Sequence, residues 1–272
     1  SSATAATYSG LITLGSDSSI VANNGNLVLS HVGTITGAGF GLTLGGTNTA
    51  SSLASIIGTG TGAVTKTGSG KWTLSGANTY TGVTTLSQGT LSVATIGNGG
   101  VAGNLGQAGT GAANLVLGGG TLHYTGASES TDRGFTLAAG TTATIDVTTG
   151  GTNLTLAGAS ATTTGALTKV GAGTLTLSGS NSYTGTTTVS AGTLALGHAS
   201  DTLLDTGAVT VAGGTLNVGF ADTVGVVTMS SGAITGAGTL TGTSFGFSGG
   251  TSSTHLAGPL TVSGAVGLSG TL

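Results

Sequence analysis

The stretch KTGSGKWTLSGANTYTGVTTLSQGTLSVA occupies Lys66–Ala94, and a near copy, KVGAGTLTLSGSNSYTGTTTVSAGTLALG, occupies Lys169–Gly197. The copies begin 103 residues apart, and 17 of their first 28 aligned positions are identical. Shorter phrases also recur, such as ITGAG at Ile35–Gly39 and again at Ile234–Gly238. Recurrence of this kind is typical of a repeat architecture, in which each unit packs mainly against its neighbours.

Within the copies, apolar and polar residues alternate. TLTL at Thr174–Leu177, TTTV at Thr186–Val189 and GTLAL at Gly192–Leu196 each place Leu or Val on one face of a short strand. Gly, Asn and Ser separate these runs, which is the turn spacing of an all-β protein. A closed barrel or a sandwich would use more Asn-Gly hairpins than the two present, at Asn24-Gly25 and Asn98-Gly99.

These patterns favour an all-β parallel β-helix, that is, a β-solenoid. At about 20–25 residues per coil, the 272 residues predict about 11–13 coils. With a strand spacing of ~4.8 Å, the rod would be about 55–60 Å long. We expect residues 1–272 to form one continuous segment with strong repeat copies at 64–94 and 167–197, because no linker-like composition divides the chain.

The composition excludes several classes of partner. Only 4% of residues are charged, where roughly 25% is usual, and the net charge is −3. Four Lys and Arg residues cannot neutralise a nucleic-acid backbone, so no nucleic-acid partner is expected. No run of ~18 apolar residues exists, which predicts the absence of a membrane-spanning helix.

The pattern K-x-G-x-G-x-x-T-L-S-G-x-N-x-Y-T-G-x-T-T-x-S-x-G-T-L resembles the autotransporter passenger-associated β-strand repeat. This resemblance is firm in the two copies and looser over Gly119–Val147 and Gly207–Gly242. It implies a right-handed parallel β-helix belonging to a very long, repetitive bacterial protein that is secreted or displayed at the cell surface. The family motif is structural, so it transfers no catalytic residue.

Few residues suggest catalytic or metal chemistry. The densest polar segment, Glu129–Arg133, holds a carboxylate pair that could serve acid–base catalysis, but a solvated loop with Arg133 paired to an acid is the preferred interpretation. His31, His123, His198 and His255 show no ligand spacing, and the chain has no Cys. We therefore predict no catalytic residue, no metal site and no cofactor.

Conspicuous aromatic residues lie inside the copies. Trp72, Tyr80 and Tyr183 are candidate surface-contact residues that could stack on a sugar ring, but the preferred interpretation is that each covers the end or corner of a coil. Asn78 and Asn181 occupy matching positions and are expected to bond backbone at a turn.

These observations predict a structural protein that forms an extracellular or cell-surface rod, fibre or stalk and is not an enzyme. The alternative hypothesis is an adhesin that binds cell-surface glycans. A third hypothesis is a polysaccharide-degrading β-helix enzyme. The chain ends on SGTL at Ser269–Leu272, and GTL elsewhere opens a strand. We therefore expect coils to continue beyond Ser1 and Leu272, in a longer parent chain or by head-to-tail stacking of copies, which are the expected partners.

Overall fold

A computed structural model describes residues 5–270 and confirms the all-β prediction. Parallel strands stack as a β-solenoid of about 12 turns, within the predicted 11–13. The terminal calls at Ser1 and at Thr271–Leu272 lie outside the described residues. The right-handed winding stays a prediction, consistent with the strong preference of parallel crossovers for that hand.

The strands are short because Gly, Asn and Ser end each apolar–polar alternation after a few residues. The first fourteen are β1 (Ala6–Tyr8), β2 (Ser18–Ala22), β3 (Leu27–Leu29), β4 (Thr34–Ile35), β5 (Leu42–Gly46), β6 (Ser51–Leu53), β7 (Ile56–Ile57), β8 (Val64–Lys66), β9 (Lys71–Leu74), β10 (Thr84–Leu86), β11 (Thr90–Val93), β12 (Leu115–Leu117), β13 (Thr121–Tyr124) and β14 (Glu129–Thr131).

The second half continues in the same style until the strands lengthen after residue 208. They are β15 (Thr136–Leu137), β16 (Thr142–Val147), β17 (Asn153–Leu156), β18 (Ala166–Val170), β19 (Thr174–Leu177), β20 (Thr187–Val189), β21 (Thr193–Leu196), β22 (Val209–Val218), β23 (Asp222–Thr235), β24 (Thr239–Phe247), β25 (Thr251–Ser252), β26 (His255–Ala257), β27 (Leu260–Val262) and β28 (Gly267–Leu268). A single 3₁₀ turn among the described residues lies at Ala112–Asn114.

Strands of successive coils pair in parallel and form three long columns along the rod, beside a separate short pair of β4 with β7. The first column is β2-β5-β8-β10-β12-β15. The second runs β1-β3-β6-β9-β11-β13-β16-β18-β20 into β22. The third begins at β14 and runs through β17, β19 and β21 to the later part of β22.

The two copies have the same strand layout. Strands β8, β9, β10 and β11 of the first copy correspond to β18, β19, β20 and β21 of the second, at a constant offset of 103 residues. They do not occupy the same columns, however, because β16 pairs with β13 on one side and with β18 on the other. The second column therefore contains β9 and β11, the second and fourth strands of the first copy. In the second copy it contains instead β18 and β20, the first and third strands.

The core lies inside the coils and consists of the inward half of each alternation. In β19, for example, Leu175 and Leu177 are fully buried, whereas Thr174 and Thr176 face outward and are half-buried. Leu, Val and Ile stack on their equivalents one coil away, so the apolar core is continuous along the rod. No helix among residues 5–270 is long and apolar enough to cross a membrane.

Candidate functional site

The structure places the three candidate contact aromatics inside the core. Trp72, Tyr80 and Tyr183 are 1%, 0% and 2% exposed. The surface-contact interpretation is therefore corrected, because a side chain enclosed by the coil cannot stack on a ligand. The Trp72 indole donates its Nε1–H to the carbonyl oxygen of Gly45 at 2.9 Å, and this bond ties neighbouring coils together.

The copied tyrosine and asparagine residues form hydrogen bonds inside the coil stack. The Tyr80 hydroxyl bonds the Thr84 hydroxyl at 2.7 Å, and Tyr183 bonds Thr187 at the same distance. Asn78 accepts the Ile57 N–H at 2.7 Å and donates to the Asn104 carbonyl at 2.7 Å. The expectation that the paired asparagines bond backbone at a turn agrees with these contacts, and Asn181 likewise accepts the Ser160 N–H at 3.2 Å.

The first residue of each copy is a buried lysine that the sequence reasoning missed. Lys66 and Lys169 are 1% and 0% exposed. The Lys66 amine donates to the carbonyl oxygens of Thr67, Gly68 and Gln88 at 2.6, 2.8 and 3.2 Å. The Lys169 amine makes the equivalent three bonds, at 2.6, 2.9 and 3.3 Å. Each amine thus closes a coil corner.

Burial has an electrostatic consequence for both amines. Desolvation lowers the pKa of Lys66 from 10.5 to about 8. The pKa of Lys169 is likewise lowered to about 8 by desolvation, against an opposing effect of Asp146. Within residues 5–270, no carboxylate forms an ion pair with either lysine, so carbonyl dipoles carry the stabilisation of the charge.

A long loop, residues 94–111, follows the first copy, and we call it the first loop. Arg133, 3% exposed, holds it from inside. Its guanidinium donates to five backbone carbonyls of the loop, at Gly97, Asn98, Val101, Gly106 and Ala108, over 2.7–3.3 Å. The expectation that Arg133 pairs with an acid in a solvated loop is therefore corrected, because within residues 5–270 every hydrogen bond of its guanidinium goes to a loop carbonyl.

The two acids beside Arg133 bind the same loop. Glu129 lies in β14, and its Oε1 accepts the N–H groups of Ile96 and Gly97 at 2.6 and 3.3 Å. Asp132 accepts the Gly99 N–H at 2.7 Å. The carboxylates thus bond backbone amides, while the loop leaves Val101 55% exposed at its surface. These bonds hold a loop that contains no charged residue of its own.

One Ser–His–Asp arrangement lies on the outer face of the second column. Ser92, His123 and Asp146 occupy the same register on β11, β13 and β16. The Ser92 Oγ lies 2.9 Å from His123 Nδ1, and His123 Nε2 lies 3.8 Å from Asp146 Oδ2. A hydrolytic triad needs an accessible nucleophile, but Ser92 is buried, so this set is a polar ladder between coils.

Comparison with known proteins relates the two copies to a known repeat. The sequence profile of the Passenger-associated-transport-repeat matches residues 64–93 and 167–196, which are the two copies. Two stretches of the chain are therefore similar to this repeat. The first match spans β8–β11 and the second spans β18–β21, so each covers two successive strand pairs of the solenoid and contains one of the buried lysines.

A curated relative agrees with the repeat. Over 173 residues, which is 61% of this chain, the sequence is 44% identical to the Adhesin BmaC autotransporter of Brucella suis biovar 1 (strain 1330). This chain spans only 5% of that relative's length. These two matches confirm the predicted location outside the cell or on the bacterial surface. No solved structure matches the chain.

Proposed function

We propose that this chain is a non-enzymatic structural segment of a long surface-displayed passenger, in which stacked coils act as a rod. The observation that carries the proposal is the repetition of whole coils with their internal bonds. Lysine, asparagine and tyrosine contacts recur 103 residues apart with distances that agree within a few tenths of an ångström for the lysine and tyrosine bonds. Evolution of a binding site would preserve outward residues, whereas these copied contacts are inward.

The rod proposal includes continuity across both ends. Coils would continue in a longer parent chain, or copies of the chain would stack head to tail. Unpaired strand edges offer N–H and C=O groups to a further coil, and a net charge of −3 supplies little repulsion. The curated relative, of which the chain spans 5%, favours the covalent version.

The two versions are separated by measuring mass against concentration. The 272-residue chain is examined by light scattering and small-angle X-ray scattering, with and without a charged amphipathic helix fused after its last residue. Stacking predicts concentration-dependent filaments that the fused helix abolishes, while a fused helix with a scrambled apolar face does not. A particle that stays monomeric at high concentration, with a length of ~55–60 Å, refutes stacking and leaves the longer-parent version. A compact, non-elongated monomer refutes the rod itself.

The first loop supports a second candidate function, adhesion through a protein or glycan contact at residues 94–111. Arg133, Glu129 and Asp132 commit eight hydrogen bonds to this one excursion, which pre-organises it for recognition. Val101→Asp should reduce binding to a host-cell surface, whereas Val226→Asp, at an exposed strand position, should not. Equal binding by both variants and the parent chain would remove the loop as the recognition element.

A further inference from the structure

The second copy is also followed by a loop, residues 197–208, which we call the second loop. It is fastened differently from the first loop. Asp222, the first residue of β23, is 3% exposed, and its Oδ1 accepts the N–H groups of Thr202 and Leu203 at 3.2 and 3.4 Å. The Thr202 carbonyl in turn accepts from the backbone N–H and the side-chain amide of Asn181, each at 3.0 Å. The Asp222 carboxyl therefore ties the loop to β23, and Asn181 ties the same loop to the second copy.

The second oxygen of this carboxyl group has no donor. Asp222 Oδ2 and Asp201 Oδ1 are both buried, and neither has a hydrogen-bond partner among the described residues. The two carboxyl groups are neighbours, because Asp222 Oδ1 accepts the N–H groups of the two residues that directly follow Asp201. Two carboxylates offer only acceptors, so they would repel, but one proton between them creates an O–H···O⁻ bond and satisfies both orphan oxygens.

We propose that Asp201 and Asp222 share one proton, and that this proton fastens the second loop, which opens when the proton is lost. A bound cation is the alternative occupant of the same gap. It is disfavoured because divalent cations such as Ca²⁺ take six to eight oxygens, whereas this part of the protein offers two carboxyl groups whose orphan oxygens are closed to solvent.

The other titratable groups near the pair are Tyr183, His198 and Asp205, and the shared proton is assigned to the two carboxyl groups alone. Tyr183 of the repeat coil faces Asp222, and burial raises the pKa of Tyr183 above its ordinary value, so it stays neutral through the range considered. His198 lies beside Asp201: its Nδ1 accepts the Asp201 N–H at 3.2 Å, and its own backbone N–H donates to the Thr202 hydroxyl at 3.1 Å. Asp205 belongs to the same loop and is exposed.

The sign of the pH dependence follows from where the proton is held. Burial, followed by the bond and charge of Asp201, raises the pKa of Asp222 from 3.8 to about 8. An opened loop would return Asp222 to the ordinary carboxyl pKa of ~4. The closed loop therefore holds one more proton between these two values, and the opening equilibrium rises up to about tenfold per pH unit there before levelling.

Hydrogen exchange at the Thr202 and Leu203 amides reports this opening directly. After correction for the intrinsic pH dependence of exchange, their protection should fall ~10–100-fold between pH 6 and pH 8. The Ile96 and Gly97 amides, which Glu129 holds in the first loop, should keep their protection and serve as an internal control. Uniform protection of Thr202 and Leu203 across this range would overturn the proposal.

Two variants imitate the protonated pair. In Asp222→Asn the amide oxygen can still accept both backbone N–H groups, and the new N–H₂ can donate to Asp201. In Asp201→Asn the donor comes from the opposite side, which keeps the test valid if one variant does not fold. Both should hold the loop closed at pH 8, whereas Asp205→Asn should retain the transition of the parent chain. A transition that persists in both pair variants overturns the proposal.

The remaining arms separate other causes. A transition near pH 6.5 that His198→Gln removes would assign the effect to histidine and refute the carboxyl pair. Exchange is also measured with 5 mM CaCl₂ and with EDTA, as ~millimolar affinity is the weak end of protein calcium sites. Protection unchanged by either addition supports the shared proton, whereas protection that EDTA removes at pH 6 means that a cation occupies the gap.

Discussion

Replacing the buried lysines by methionine tests whether their amines stabilise the coils. Lys66→Met keeps the length of the side chain but removes the donor that serves Thr67, Gly68 and Gln88. Lys169→Met does the same in the second copy. Lys71→Met is the matched control, because Lys71 lies five residues away in the same coil and is half-buried on the outer face.

The expected magnitude is the difference between two opposing effects. A pKa lowered from 10.5 to about 8 corresponds to ~3 kcal/mol of unfavourable burial of the charge, which methionine relieves. Three carbonyls left without their donor cost ~1–3 kcal/mol each, ~3–9 kcal/mol together. Corner carbonyls recover part of this from water, so we expect a net loss of ~2 kcal/mol per lysine and a change below ~0.5 kcal/mol for Lys71→Met.

Denaturant unfolding measures the loss, and hydrogen exchange at residues 67–70 and 88–90 locates it. The double variant should lose about the sum of the single variants, because the sites are several coils apart. The sign of the pH dependence gives a further check. Lysine proton affinity is lowered by folding, so stability of the parent chain should rise by up to ~3 kcal/mol per lysine between pH 8 and pH 10.5. The methionine variants should lack that rise. If Lys66→Met is neutral or stabilising, the amine is not what closes the corner.

Other substitutions probe single contacts. Arg133→Met should destabilise the first loop by ~3 kcal/mol and raise amide exchange there without unfolding the rod; unchanged exchange in the loop would contradict the bracing role. Tyr183→Phe should cost more than Tyr80→Phe in thermal unfolding, ~2 against ~1 kcal/mol, because Thr84 keeps a bond to Leu105 whereas Thr187 loses its described partner. Gly192→Ala should lower the melting temperature more than Gly140→Ala: both have positive φ, but a Cβ at Gly192 meets backbone carbonyls and one at Gly140 meets nothing.

The sequence predicted the strands because their signal is local. Alternation and turn residues operate over two to ten residues, and those rules placed strands at TLTL and TLAL as observed. The same alternation could have corrected the aromatic prediction, since Trp72 shares a face with Leu74. It also places Lys66 on the inward face with Val64. The error came from assigning a residue to the surface by its type instead of by its position.

Other features have no local signal. Arg133 reaches carbonyls 25–36 residues earlier in the chain, a contact that depends on how the first loop folds over the next coil. The change of column depends on β16, which pairs with β13 through residues 144–147 and with β18 through residues 142–146. Asp201 and Asp222 meet only because β23 passes beneath the second loop. Sequence spacing alone does not encode these approaches.

The division between copied and variable positions indicates where recognition could evolve in such a rod. Lys66, Asn78 and Tyr80 are repeated in the second copy, and each is buried and bonded within the coil stack. The repeat motif therefore records how a coil closes. The loops that follow the copies are free of that requirement, and they differ in length, in charge and in how they are fastened: one by an arginine with five carbonyl partners, the other by a carboxyl pair. A solenoid that keeps its corners constant and varies the loops after them can change its surface without disturbing its core.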